Sequence, residues 1–236
     1  MGHHMRGWLV WGGDCIRREV LPLLRAAAEM TMHRRCVLLA IAAVMAIAAG
    51  VTARVIQDNK AESGLPGSVV KVMLEVGHGS GVHIGKGYIL TAAHVVANAK
   101  SVKIKTDKGD TGEAEVLWIN SARDVALIHS DTKLQVSRIA CKSLPAGTLT
   151  RAIGNPSNQE FISTWGRVSG RAIDTPWKTA IVADITIVPG MSGGGLFDEA
   201  GRLVGILVGT MARGFGAIVP VGYVVPASAF CGMLGR

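Results

Sequence analysis

Aromatic residues make up only 5% of this 236-residue chain, and cysteine occurs just four times. Cys15 and Cys36 lie in the N-terminal segment or at its edge, which leaves Cys141 and Cys231 for the rest of the chain. Two are too few for a disulfide scaffold, and either one bridge or two buried thiols fits them. No C-x-x-C pattern or nearby His pair accompanies them, so no metal site and no cofactor is expected. Lys/Arg runs with interleaved aromatics are also missing. The formal charge is +8, but the first 54 residues hold seven basic and three acidic groups, and the excess over the remainder is small. That pattern reads as a solvated surface and argues against a nucleic-acid partner. With 49% apolar and 18% charged residues, a disordered or collagen-like polymer is excluded.

What the chain does have is glycine, 30 residues of it. So many tight turns and close backbone approaches suit an all-β chain better than a helical bundle. From Ser68 onward, short β-rich runs recur between turn signals, such as SVVKVMLEV, KGYILTA, SVKIKT, DVALIHS, TAIVADITIV and RLVGILVGT. The spacing predicts an antiparallel sandwich or barrels, with PASAFCGMLGR as a short closing helix. No sequence repeat is visible. Even so, the region divides near Lys133 to Ser143 into halves each large enough for a six-stranded barrel.

Upstream, residues 1–35 form a basic leader, and Met30 and Met32 are alternative starts. Residues 36–53 carry no formal charge and read as a signal peptide or a membrane anchor. Val51-Thr52-Ala53 offers a peptidase site that would leave Arg54 as the new terminus. The basic flank should stay in the cytoplasm, so the C-terminal part is expected to be periplasmic or extracellular, secreted or tethered to the membrane through residues 36–53. Residues 54–67, closing on Leu-Pro-Gly, read as a linker.

The strongest chemical signal is Gly190-Met191-Ser192-Gly193-Gly194-Gly195. Glycine at 190 allows a positive φ, and its N–H can pair with that of Ser192 to hold a developing oxyanion. The pattern also matches the α/β-hydrolase elbow G-x-S-x-G, but that fold needs a histidine after the serine, and the last histidine here is His129. A general base must come from upstream. His94 ends a β-like run that changes to small residues, whereas His78 and His83 lie in a Gly-rich loop and His129 follows a strand. Asp124 opens the apolar strand DVALI, where a carboxylate can accept from the imidazole N–H and hold its tautomer. The order His94, Asp124, Ser192 is one of the convergent orders of a Ser-His-Asp triad.

GSGVHIGKGYILTAAHVV (79–96), RDVALI (123–128), AIGNP (152–156) and ADITIVPGMSGGGLFDEAGRLVGI (183–206) resemble trypsin-like serine proteases of the chymotrypsin fold, nearest the HtrA/Deg type. The resemblance implies a serine endopeptidase of residues 68–236 acting on polypeptides. It implies two six-stranded antiparallel β-barrels, about 68–135 and 143–226, with a cleft between them. It further implies an oxyanion hole from the N–H groups of Gly190 and Ser192, and an S1 pocket floored near Thr186 and walled by Val208, Gly209 and Thr210. Small to medium apolar P1 residues are then expected, unless Asp184 reaches the pocket. Cys141 and Cys231 match positions that some trypsin-like enzymes bridge.

Two departures stand out. Met191 replaces the Asp that binds a new N-terminal ammonium in pancreatic-type enzymes, so activation by terminal insertion is not expected. No PDZ-like domain follows Pro226, so the peptide sensing and cage assembly linked with HtrA-type proteins are not carried over. The rival reading is a catalytically silent module that binds extended peptides by strand addition.

Overall fold

Pro66 sets where the first regular element must stop, because proline disfavours a helical conformation in the residue before it. The computed structural model describes residues 32–64, 66–142, 144–172, 176–177, 180–212 and 218–235, and residues 1–31 of the leader lie outside these. Helix α1 runs over Met32–Gly64. It therefore continues through most of the expected linker, whose RVIQDNKAES stretch lacks proline and holds several good helix formers. Its portion Arg34–Arg54 is 21 residues long, fully exposed, and long and apolar enough to cross a membrane. At 1.5 Å per residue this spans about 32 Å, close to the thickness of a hydrocarbon core. The chain divides into two units between Gln57 and Asp58.

Among its described residues, the second unit holds twelve strands in two closed antiparallel barrels. The first barrel comprises β1 (Val69–Met73), β2 (His78–Gly85), β3 (Tyr88–Thr91), β4 (Ser101–Lys105), β5 (Thr111–Asn120) and β6 (Val125–His129). The second comprises β7 (Leu149–Gly154), β8 (Ile162–Arg171), β9 (Ile181–Ala183), β10 (Gly195–Asp198), β11 (Leu203–Ala212) and β12 (Ile218–Pro226). The first ring is ordered β1-β2-β3-β6-β5-β4 and the second β7-β8-β9-β12-β11-β10, so both share one topology despite having no sequence repeat. Closure removes the free edges that would otherwise invite pairing with other chains.

Alternation decides which side of each strand enters the core. In β4, Val102 and Ile104 are buried while Ser101 and Lys103 face water. β2 instead passes through a crowded interior. At Gly81 a Cβ would sit 2.7 Å from Ile89 Cγ2, so only glycine fits. The first core cluster extends from Val69, Ile89 and Ile128 to Phe197 and Phe230, and a second holds Ile185, Ile187, Met191 and Leu196. Burying a phenylalanine of this kind is worth roughly 1.5–3 kcal/mol.

Two short helices follow strands, α2 (Ala93–Val96) after β3 and α3 (Ala227–Phe230) after β12. The segment joining the barrels runs beside β11, with Leu203 N–H donating to Arg138 O at 2.8 Å and Ala140 N–H to Leu203 O at 2.9 Å. A disulfide joins Cys141 in this segment to Cys231 after α3, with Cα atoms 5.9 Å apart across 90 residues of sequence.

Candidate active site

His94 owes its position to the small residues before it. Ala92 is extended (φ −79°, ψ 143°), and α2 then buries Ala93, Val95 and Val96 while leaving the His94 side chain 48% exposed. Asp124 stands at the entry to β6 with φ +53°, a left-handed conformation that aspartate tolerates better than most residues. Its carboxylate receives the His94 backbone N–H on Oδ1 at 2.9 Å and the His94 Nδ1–H on Oδ2 at 2.7 Å. With Nδ1 carrying the proton, Nε2 of a neutral ring is the free base. A third donor, Trp177 Nε1–H, reaches Oδ2 at 2.9 Å. Burial works to raise the Asp124 carboxyl. The ring and backbone N–H groups of His94, the His94 charge and the Trp177 indole outweigh it and hold the carboxyl below its ordinary value.

Ser192 comes from the turn between β9 and β10. Gly190 and Gly193 adopt φ +94° and +84°, which lets the backbone fold tightly on both sides of the serine. Gly193 is pressed against the first barrel, where a Cβ would collide with Ser80 O, Thr91 Oγ1 and Ala92 N. Ser80 N–H donates to Ser192 O at 2.8 Å. The serine backbone is thus seated beside Ala92, two residues before His94. The Ser192 hydroxyl makes no hydrogen bond to a described residue, and the N–H groups of Gly190 and Ser192 donate none either. Met191 is 1% exposed and packs in the second core cluster, an apolar role in keeping with its side chain.

The other histidines of the barrels are engaged elsewhere. His78 Nε2 meets Asn155 O at 2.8 Å, buried His83 bonds Gln135 O through Nδ1 at 2.7 Å, and His129 packs edge-on against Tyr88.

Of the residues expected in the specificity pocket, Val208, Gly209 and Thr210 lie in β11, and Thr186 lies between β9 and the serine turn. Thr186 is exposed, and Thr210 Oγ1 donates to Val221 O at 3.0 Å. Val208, buried, borders a cavity of 480 Å³ together with Ala93, His94, Asp124, Pro176 and Trp177. Gly209 lies under the Trp177 indole, where a Cβ would collide with Cη2. Asp184 is turned to β8, its carboxylate accepting the Arg167 N–H.

Three residues that sequence reasoning gave no role join this site: Ser80, Asn155 and Trp177. Ser80 and Asn155 lie inside the GSG and GNP stretches, which offered a faint signal; a lone Trp between Pro176 and Lys178 offered none.

Residues 79–206 match the family model of the trypsin-like peptidase domain. The serine protease Do-like HtrA of Lactobacillus helveticus is 36% identical over 132 residues, 52% of this chain and 32% of that protein. The periplasmic pH-dependent serine endoprotease DegQ of Escherichia coli (strain K12) is 31% identical over 163 residues, 64% of this chain and 35% of DegQ. Among solved structures, the HtrA-type protease AlgW with a tripeptide superposes with a TM-score of 0.68 at 27% identity, over 75% of this chain and 62% of AlgW. The serine endoprotease from Yersinia pestis gives 0.65 at 29% identity, over 75% and 65%. The chain matches about a third of the length of these curated relatives.

Proposed function

The chain belongs to the trypsin-like peptidase domain family, and from that premise we propose that it is a serine endopeptidase of HtrA/Deg type, with His94, Asp124 and Ser192 as its triad. The observation that carries this reading is the double grip of Asp124 on His94, through the ring N–H at 2.7 Å and the backbone N–H at 2.9 Å. It fixes the tautomer in which Nε2 is free to act as base.

In this mechanism Ser192 Oγ attacks the peptide carbonyl as His94 Nε2 takes its proton. The carbonyl oxygen becomes an oxyanion facing the N–H groups of Gly190 and Ser192, which donate to no described residue. His94 then passes the proton to the leaving amine, and an acyl-Ser192 ester remains. Water, deprotonated by His94, opens the ester and restores the serine.

Small to medium apolar P1 side chains fit this site. Thr186 carries no charge, Asp184 is bonded to β8, and Ile187 packs against Gly222 on the second-barrel side. A polypeptide in the periplasm or outside the cell is the substrate class, since DegQ bears the word periplasmic in its name and α1 is long enough to tether the domain. One observation favours a silent peptide-binding module, namely that the Ser192 hydroxyl makes no hydrogen bond to a described residue. Catalytic hydrogen bonds in unliganded enzymes are often loose, which weakens that inference.

A peptide-library digest with the parent chain and Ser192→Ala in parallel tests the proposal. Cleavage by the parent alone, with fluorophosphonate labelling lost in the variant, is expected. Equal cleavage by both would exclude the triad.

A further inference from the structure

One oxygen of Asp124 receives N–H groups from both barrels. Oδ2 accepts His94 Nδ1–H from the first and Trp177 Nε1–H from the segment between β8 and β9 of the second. The Asp124 side chain is only 8% exposed, so water does little to fix its plane. The side chain of Val208, which borders the same cavity from β11, is apolar and donates no hydrogen bond. The indole is itself held in place. Its six-membered ring covers Gly209, and the Tyr223 ring lies 5.3 Å away at a tilt of 41°. A carboxylate offers about four acceptor sites, and the three filled here fix both its rotation and its distance from the imidazole.

Resting on the peptidase reading above, we propose that Trp177 is a positioning residue: its indole N–H holds the Asp124 carboxylate in the plane that aims His94 Nε2 at Ser192. Seating of the Trp177 indole on Gly209 of β11 then becomes a condition for fast turnover. The bond also draws charge from Oδ2, so its loss leaves a more basic carboxylate.

The test uses the full chain with Trp177→Phe, which keeps an aromatic ring on Gly209 and Tyr223 but removes the donor. Turnover of a peptide substrate should fall about tenfold, the worth of one hydrogen bond to a charged group. KM should stay within about twofold, because the lost contact touches no substrate. The Asp124 carboxyl, followed by 13C NMR, should titrate at higher pH than in the parent. Should the phenylalanine chain fail to fold, β-(3-benzothienyl)alanine at 177 replaces N–H by sulfur with nearly the same shape, and the same changes are expected. Unchanged turnover, or a rise in KM with an unmoved Asp124 titration, overturns the proposal. The titration needs no turnover, so it decides the Trp177 contact even where Ser192→Ala leaves hydrolysis intact and the peptidase reading fails.

Discussion

The Ser80 hydroxyl donates to the Gly190 carbonyl at 2.8 Å, from a strand of the first barrel to the turn that precedes Ser192 in the second. The same hydroxyl accepts Asn155 N–H at 2.9 Å and Asn155 Nδ2–H at 3.0 Å, all in a fully buried setting. On the other side of Gly190, Pro189 O accepts Ser157 N–H at 2.9 Å. Because peptides are planar and trans, anchoring the Pro189 carbonyl points the Gly190 N–H the opposite way, and anchoring the Gly190 carbonyl fixes the next plane.

Ser80→Ala therefore releases one of these planes and leaves buried Asn155 donors unpaired. Turnover should fall about 10- to 100-fold, less than the full loss of an oxyanion donor. Stability should fall by roughly 1–3 kcal/mol. Steady-state kinetics with a thermal melt checks both; a stability loss with unaltered kcat would reduce Ser80 to a packing role.

Asp124 carries a pH prediction. Its carboxyl is held below the ordinary value in the folded chain, so the stability it contributes is complete above the unfolded pKa and lost as pH falls through the folded one. Asp124→Asn removes that contribution, so the gap between parent and variant in urea unfolding should be widest above roughly pH 4 and shrink below it. Turnover of the same variant should fall by about 10⁴-fold, since an amide does not enforce the His94 tautomer.

Reducing the Cys141–Cys231 bridge, or replacing both by serine, frees a long loop in the unfolded chain. A loss of about 2–5 kcal/mol is expected, read by denaturant titration with and without reductant. The triad lies in other segments, so kcat at low temperature should hold. A thiol assay that finds two reactive groups in the native, non-reduced domain would contradict the bridge.

Residues Arg34–Arg54 match the thickness of a membrane core and exceed the length of about 7–15 apolar residues usual for a signal h-region. We expect the full chain to stay with membranes through carbonate washing and to become soluble when residues 36–53 are deleted. A mature terminus at Arg54, seen by N-terminal sequencing, would instead mark a cleaved signal.

Nine strand-like runs were legible because their apolar and β-branched residues repeat with the period of a pleated sheet. β2, β8 and β10 were not, and the reasons differ. HGSGVHIG is rich in glycine, with Gly79 and Gly81 crowded by Val95 and Ile89, ISTWGRVSGR is exposed or half-exposed at all but one position, and GLFD is short. The helical continuation of α1 past residue 54 was also missed, since polar composition resembles a linker whether or not it coils.

Residue type and order alone determined the all-β character, the candidate His94, Asp124 and Ser192, and the glycines around the serine, because tautomer control and a sharp turn each demand particular side chains. Ring closure, the seating of Ser192 beside Ala92, and the arrival of Ser80 and Trp177 at Gly190 and Asp124 were decided by the tertiary structure. Those contacts join residues from 53 to 110 positions apart, and no local propensity encodes which strands a chain will bring face to face.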